Sequence, residues 1–233
     1  MARGPALRWR AVAAFGIAVL LSTPVALSTR TPAEAAPPGG ADVQHHHPLP
    51  VPRTARQVAF HDGMRVLWTD HVVWTRLAIV TFADGSAGFD ATAARLLRNQ
   101  NDIGDAIKPY YGTATGDRLT ALLHEHIAIA VELLQAAKAG DTAAFEAARV
   151  RWYANSDQIA DFLSSKNPRW WPKATLRAAM RTHLDQTLAE AAHELGADYA
   201  ASVADYAAIQ AHILEMADLL SSGIIRQFPH RFR

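Results

Sequence analysis

The sequence predicts an all-α protein, a compact helical bundle of about six helices built from three tandem αα-hairpins. Three observations predict this class. Hydrophobic residues make up 50% of the chain, yet runs that alternate apolar and polar residues, as strands do, are hard to find. Glycine and proline recur at breaks that suit pairs of helices. Short motifs also repeat along the chain at intervals of about 56 residues.

The repeated motifs define three units. Residues 99–105 and 155–161 both match the pattern N-x-[ND]-x-I-x-D, and residues 161–165 and 218–222 both match D-[FL]-L-S-S. Several agreeing spacings indicate a repeated supersecondary unit, because chance supplies such matches singly. Each unit has room for two helices and a short connection, so we expect an αα-hairpin in each.

Turn-forming residues place the helix boundaries. Residues 84–85, 140–141 and 196–198 divide the pairs, while residues 109–112 and 167–172 separate one pair from the next. Three pairs are few for a solenoid, so we expect them to close into a bundle. The expected helices cover residues 57–80, 91–108, 117–139, 142–165, 174–195 and 199–226.

The N-terminus has the pattern of a secretory signal peptide. Arg3, Arg8 and Arg10 precede an apolar run over residues 11–27, and small residues suited to cleavage follow at 33–36. We expect cleavage there and export to the extracellular space or the cell envelope. An uncleaved membrane anchor is the alternative, although polar residues and a proline interrupt the apolar run.

These features divide the chain into four segments. We expect a signal peptide over residues 1–36, a linker rich in proline, glycine and histidine over 37–56, the helical bundle over 57–229 and a basic tail over 230–233. The linker contains three histidines at 45–47. Such a short run binds metal loosely in some proteins and is ordinary solvated linker in most.

Composition excludes several classes of site. The chain contains no cysteine, so thiolate metal sites, thiol catalysis and disulfides are excluded. Its formal net charge of +1 becomes −2 once the signal peptide, with four arginines and one glutamate, is removed. The mature chain therefore lacks the overall basic charge that is typical of nucleic-acid binding. We expect no nucleic-acid partner, and no membrane contact after cleavage.

Polar residues recur on the apolar faces of all six predicted helices. At 100° per residue, the first helix of every pair has a histidine at the centre of its apolar face, and each second helix carries one polar residue. Folding each hairpin back on itself brings the two sets to one level, within about one helical turn. The six residues are His71, His126 and His183 on the first helices and Asn99, Asn155 and His212 on the second.

Two interpretations of this layer stay open. A buried amide or imidazole without a partner costs about 1–3 kcal/mol, so the six side chains need partners. They either satisfy one another and water in a network that fixes helix register, or they bind a transition metal such as Zn, Fe or Cu. Repetition favours the network, whereas the extra histidine at position 212 favours a metal. The candidate metal-site residues are His71, His126, His183, His212, Asn99, Asn155 and Glu215, the last placed near the core beside His212.

Three aspartates at equivalent positions lie at the edge of the polar stripe. They are Asp105, Asp161 and Asp218. We interpret them as ion-pair bridges between units rather than as catalytic bases. Their candidate partners are Arg76, Arg98, Lys108, Arg118 and Arg177.

Three segments carry a resemblance to known sequences. Residues 68–76, 105–112 and 223–229 are similar to those of an uncharacterised family of bacterial all-helical proteins. The similarity spans about residues 57–229 and implies a helical fold. No activity is established for that family, so the resemblance implies no function.

The predicted function is that of an exported helical-bundle binding protein, whose polar core layer is a candidate site for a transition metal or small ligand. One alternative is a structural or protein-interaction module in which the layer only fixes register. The other is a metal-dependent enzyme. The phosphate loop, the G-x-S-x-G elbow and H-E-x-x-H are all missing from the sequence, and neither the partner nor the ligand follows from it.

Overall fold

A computed structural model describes residues 51–233. The predicted signal peptide and most of the predicted linker lie outside the described residues. Within them the protein is entirely helical, with six helices packed together and no strand, so the predicted all-α class is confirmed. The three-fold repeat itself stays a prediction from the sequence.

Six long helices form the bundle, followed by a short 3-10 helix. Each lies close to its predicted position: the first three exceed it by two to four residues at one or both ends, and the last three differ by a single residue. Helix α1 begins inside the segment predicted as linker. The helices are α1 Ala55–Ala83, α2 Phe89–Tyr111, α3 Thr113–Ala139, α4 Thr142–Lys166, α5 Lys173–Leu195 and α6 Tyr199–Gln227, and the 3-10 helix is Pro229–Phe232.

Side chains that accept backbone N–H bonds explain where three helices begin. Thr54 and Gln57 form a capping box at the start of α1. Asp141 and Asp198 accept the amides three residues later at the starts of α4 and α6. Between α3 and α4, Gly140 takes a left-handed conformation with φ 69°, which a glycine adopts without a steric penalty.

Pro109 does not end helix α2 as expected. The helix continues to Tyr111 and ends at Gly112, where φ is 85°. A proline in the last turn forfeits one backbone hydrogen bond, and tertiary contacts hold the residues beyond it in place. Tyr110 stacks on Phe232 at 5.4 Å between ring centroids, and the Tyr111 hydroxyl lies 2.5 Å from the side-chain oxygen of Gln227.

The helices form a closed ring rather than an open solenoid. Each helix packs against the next in sequence, and α6 packs against α1. Helices α1, α3 and α5 also contact one another across the interior. The first helices of the three pairs are therefore the inner helices of the bundle. The main hydrophobic core contains residues of all six helices, and a smaller cluster of Ala78, Leu96 and Ile127 lies between α1, α2 and α3.

Helix α3 has the length and hydropathy of a membrane-spanning segment. The core helix of a bundle meets the same criteria. Helix α3 packs between α2 and α4 and buries Leu119, Leu122 and Leu123. Packing in the bundle therefore accounts for its apolar composition.

The two ends of the bundle differ in what they contain. The end that holds the chain's entry at residue 51, its C-terminus and the connections between pairs is called here the terminal end. There the Thr54 hydroxyl donates to the carbonyl of Phe232 at 2.6 Å. The opposite end, which holds the turn within each pair, is called the hairpin end. There Lys138 Nζ donates to the carbonyl of Phe82 at 2.7 Å.

Two of the three edge aspartates bridge neighbouring helix pairs. Asp161 on α4 forms a bidentate pair with Arg177 on α5, at 2.7 Å for each bond, as predicted. Asp218 on α6 reaches α1, where it pairs with Arg65 at 2.7 Å, a partner that the sequence analysis did not include.

Asp105 does not bridge as expected. Its carboxylate pairs with Lys108, which is one of the predicted partners but lies one turn away on the same helix, and Lys108 makes the link to α3 through Asp117 at 2.6 Å. The helical position of Asp105 determines the side of α2 on which it lies. Its carboxylate nevertheless pairs with Lys108, because this cation on the same helix is nearer.

Candidate functional site

The structure brings together the three predicted histidines of the inner helices, called here the core histidines. His71, His126 and His183 lie on α1, α3 and α5 and are only 3%, 3% and 4% exposed. The rings of His71 and His183 are 5.6 Å apart between centroids. The closed ring of helices thus places three imidazoles from distant parts of the sequence side by side in the core.

Burial keeps all three imidazoles neutral at physiological pH. Desolvation lowers the pKa of His71 to about 3, with a further contribution from His126. Desolvation also lowers the pKa of His126 to about 4, against the opposing effect of its hydrogen bond to Asn155 Oδ1. The pKa of His183 lies well below its usual value, through desolvation and the neighbouring histidines. Neutral imidazole is the form that ligates metal ions.

His126 has a defined orientation and tautomer. Its Nδ1 lies 2.9 Å from Asn155 Oδ1, while the amide nitrogen of Asn155 donates to the carbonyl of Leu122. The oxygen of Asn155 must therefore accept, so His126 Nδ1 carries the proton and Nε2 presents its lone pair. The ring also stacks on Trp152 at 5.1 Å, and the indole N–H of Trp152 donates to the His126 carbonyl.

His71 has the opposite tautomer. Gln100 Nε2 lies 3.2 Å from His71 Nδ1 and also faces two further acceptors, the carbonyl of Leu96 and Oδ1 of Asn99. The amide nitrogen is thus the donor at this position, and His71 Nδ1 accepts, which places the ring proton on Nε2. The side-chain oxygen of Gln100 is buried without a partner.

Gln100 is a member of the layer that the sequence analysis missed. Folding the first hairpin back on itself places His71 opposite residue 100, whereas the repeated motif indicates Asn99, the equivalent of Asn155. The position opposite His71 in the hairpin therefore indicates Gln100, whereas the repeated motif indicates Asn99.

His183 is the least satisfied of the core histidines. Its Nδ1 is buried and has no hydrogen-bond partner among the described residues. The corresponding nitrogens of His71 and His126 each face a side-chain amide. The third pair thus has no side-chain amide beside its core histidine, whereas the first two pairs each have one.

One hydrogen bond recurs in all three helix pairs. The polar residue of each second helix donates to the backbone carbonyl four residues before the core histidine of its partner helix. Such a bond fixes the height of one helix against the other. The three bonds are Asn99 to Leu67 at 3.0 Å, Asn155 to Leu122 at 3.2 Å and His212 to Ala179 at 2.9 Å.

His212 therefore takes the place of an asparagine rather than that of a fourth core histidine. Its Nε2 donates to the Ala179 carbonyl, and its side chain is 15% exposed.

Glu215 does not lie near the core as expected, because its side chain is 80% exposed. A position 60° from His212 lies at the flank of the helix, where a carboxylate turns to water rather than lose its hydration. Its oxygen stays 4.0 Å from His212 Nδ1.

The arrangement of the layer is not that of a ready metal site. Within residues 51–233, no three His, Cys, Asp or Glu side chains are placed so that they could hold a metal ion together. The core histidines are close neighbours, but their nitrogens do not converge on one point in these orientations.

A second buried polar cluster links α1, α5 and α6 near the hairpin end. Arg76 pairs with Glu190 at 2.6 Å and donates to the Ser202 hydroxyl at 3.0 Å, and Ser202 in turn donates to Glu194 at 2.5 Å. Burial raises the pKa of Glu190 to about 7, against the opposing effect of Arg76. The sequence analysis missed this cluster, although Glu190 lies seven residues after His183 on the same helix face.

No protein-family model, no curated protein and no solved structure matches the chain. The likeness of three segments to a bacterial helical family therefore stays a resemblance, and the geometry of the site is what supports a function.

Proposed function

We propose that the chain is an exported helical-bundle binding protein whose core histidines bind a transition-metal ion. One observation carries the proposal. His183 Nδ1 is buried without a partner in a layer where His71 lies 5.6 Å away, centroid to centroid, and where all three imidazoles are neutral. A buried nitrogen without a partner costs about 1–3 kcal/mol, and a bound ion would remove that cost for this side chain.

His126 supports the proposal because it is already held as a metal ligand is held. In metal proteins the second ring nitrogen of a ligating histidine usually donates to an oxygen, which fixes the tautomer and aims the free nitrogen at the ion. Here His126 Nδ1 donates to Asn155 Oδ1, and Nε2 is left with its lone pair. The rings of His71 and His183 would need to turn for their nitrogens to converge beside it.

The donor set suits a borderline metal. Imidazole nitrogen favours Zn, Cu and Fe over Mg or Ca, which prefer oxygen ligands. His212 and Glu215 are not part of this set, because His212 is bonded to a backbone carbonyl and Glu215 is exposed. Three imidazoles would leave a fourth position for water or a small ligand.

Elemental analysis tests the proposal directly. The protein, made without a histidine tag, is incubated with Zn²⁺, Cu²⁺ or Fe²⁺, desalted and analysed for metal per chain. We expect about one ion per chain in the unchanged protein and a rise in melting temperature with that metal. His126→Ala and His183→Ala should abolish both effects.

His124→Ala is the matched control, since His124 is on the same helix as His126 and hydrogen-bonds to Asn101 in an exposed position. Metal retained equally by the three variants would place any binding on the surface. Absence of metal from the unchanged protein would contradict the proposal and favour the second candidate.

The second candidate is a structural or interaction module in which the layer only fixes helix register. The recurrent hydrogen bond to a backbone carbonyl in all three pairs favours it. On this view His183→Leu would leave metal content unchanged and raise stability.

Export is the remaining part of the proposal. The basic n-region, the apolar run and the small residues at 33–36 support it. Expression of the full chain in a bacterial host, followed by N-terminal sequencing of the exported protein, should show a new N-terminus near residue 36. A chain that stays in the cytoplasm with its N-terminus intact would contradict it.

A further inference from the structure

The two ends of the bundle carry opposite charges. At the hairpin end, acidic residues outnumber the two cations, Lys138 and Arg95, in the three turns and their flanks. The acidic residues include Asp84, Asp90, Asp141, Glu146, Glu194, Asp198 and Asp205. At the terminal end, the corresponding segments contain more lysine and arginine than acidic residues. The acidic residues, Asp105, Asp117 and Asp161, pair with Lys108, Lys173 and Arg177. Around the two chain ends and the α4–α5 connection, the cations are Arg53, Arg56, Lys166, Arg169, Lys173, Arg226, Arg231 and Arg233.

The first group of cations lies where the start and the end of the bundle meet. The Thr54 hydroxyl donates to the Phe232 carbonyl at 2.6 Å. This bond brings Arg53 and Arg56 beside Arg231, and all three are exposed. The N-terminal and C-terminal residues of the bundle thus form one basic surface.

The second group surrounds an aromatic ring. The guanidinium groups of Arg169 and Arg226 lie 4.8 Å and 4.6 Å from the centroid of Trp170. Gln227, next to Arg226, donates to the carbonyl of Lys166 at 3.0 Å. The connection between α4 and α5 is thereby joined to the C-terminal residues, and the basic surface continues across this end.

Most of these cations have no carboxylate partner in the part of the chain that the structure describes. Lys173 is the exception, because it pairs with Asp161 at 2.7 Å. Exposed charges in ion pairs do little to attract a partner, whereas unpaired charges of one sign sum to an attractive field. The net charge of the mature chain conceals this field because the hairpin end offsets it.

We propose that the terminal end docks on the surface of a bilayer that contains anionic phospholipid, contrary to the expectation from net charge that the chain makes no membrane contact after cleavage. Each lysine or arginine near such a surface contributes attraction that salt weakens. Trp170, half-buried between two arginines, has the amphipathic ring that is enriched at the level of lipid headgroups. The acidic hairpin end would point away from the membrane, so the charge distribution fixes the orientation of the bundle.

Exposed apolar side chains do not distinguish the ends, since Val51 and Val58 lie at one and Tyr199 and Val203 at the other. Charge is therefore what selects the terminal end, and docking should be electrostatic and peripheral.

Vesicle sedimentation tests the proposal. The protein lacking residues 1–36, which retains the whole closed bundle, is mixed with vesicles of phosphatidylcholine alone or of equal parts phosphatidylglycerol and phosphatidylcholine. We expect binding to the anionic vesicles only, with loss of binding as salt rises. Replacing Arg169, Arg226 and Arg231 together with glutamine should weaken binding by about 100-fold.

Matched variants at the hairpin end control for general effects of charge. Asp84→Asn, Asp90→Asn and Glu146→Gln together should leave binding unchanged or strengthen it slightly. Trp170→Ala should weaken binding, while Tyr199→Ala should not. Circular dichroism of each variant verifies that the helical fold is kept.

Three results would overturn the proposal. The first is equal binding to the two kinds of vesicle. The second is an equal loss of vesicle binding when the charges of either end are neutralised. The third is binding to soluble polyphosphate that is as strong as binding to vesicles, together with no effect of Trp170→Ala. The last result would mean that the terminal end recognises a phosphate polymer rather than a membrane.

Discussion

The second and third helix pairs place equivalent residues in the core but satisfy them differently. In the second pair, Asn155 bonds both to His126 Nδ1 and to the carbonyl of Leu122. In the third, His212 bonds only to the equivalent carbonyl, and His183 Nδ1 has no partner. An asparagine offers an acceptor and a donor at once, whereas the imidazole of His212 is engaged through a single nitrogen. Matching positions in a repeat therefore do not guarantee matching chemistry.

Acid should have the largest effect on the bundle, because all three core histidines are neutral when folded and protonate readily when unfolded. Their folded pKa values are depressed, so the unfolded state binds more protons below the ordinary histidine pKa of about 6.5. Stability should therefore be intact above pH 6.5 and fall as the pH drops towards 4. The loss should approach 1.4 kcal/mol per pH unit for each histidine.

Urea unfolding at pH 7, 6 and 5 measures this dependence, with circular dichroism as the probe. His183→Leu should reduce the slope by about one proton. A free energy of unfolding that stays constant from pH 7 to pH 5 would mean that the core histidines are hydrated or already charged.

Removing the double role of Asn155 should have the next largest effect. In Asn155→Leu, His126 Nδ1 and the Leu122 carbonyl both lose a buried partner. We expect the free energy of unfolding to fall by about 2–4 kcal/mol at pH 7, measured by urea unfolding. Asn101→Leu is the control, because Asn101 bonds His124 in an exposed position and should change stability by less than about 0.5 kcal/mol.

Leucine at the two histidine positions should act in opposite directions. His183→Leu removes a nitrogen that has no partner, so it should raise the free energy of unfolding of the metal-free protein by about 1 kcal/mol and raise its melting temperature. His126→Leu leaves Asn155 Oδ1 without its donor, so it should lower the free energy of unfolding by about 1–3 kcal/mol and lower the melting temperature. Differential scanning calorimetry of the two variants separates these outcomes, and a similar loss in both would show that His183 is satisfied by bound water.

The smallest effect should come from Glu190, whose pKa is raised to about 7. A raised carboxyl pKa means that the folded state binds the extra proton, so this contribution to stability is full below about pH 4.5 and lost as the pH rises to 7. This pH dependence of stability is opposite in sign to that of the core histidines. Glu190→Gln should keep a hydrogen bond to Arg76 and steepen the net gain of stability between pH 5 and 7, measured by the same urea series. An unchanged profile would mean that Arg76 holds Glu190 ionised throughout.

Helix positions and buried faces followed from the sequence because periodicity and turn residues determine them. The core histidines were predicted on the same grounds. Side-chain reach was not predictable in this way: Glu215 turns outward, and Asp105 pairs within its own helix. A helical wheel gives the angle of a residue but not its rotamer or its nearest competitor. The Glu190 cluster depends on how α5 and α6 meet α1, which no pattern within one helix reveals.

The bond between Thr54 and Phe232 joins the beginning and the end of the folded chain. A few added residues would therefore connect the two termini, and a new opening could be made in the turn of any pair. A circular permutant that begins at Ser86 would keep all six helices whole. In it, α2 would be synthesised first and α1 last. Permutants opened in each of the three turns would share one native structure and differ only in the order of synthesis. Their refolding rates would show which helix pair must form before the ring can close.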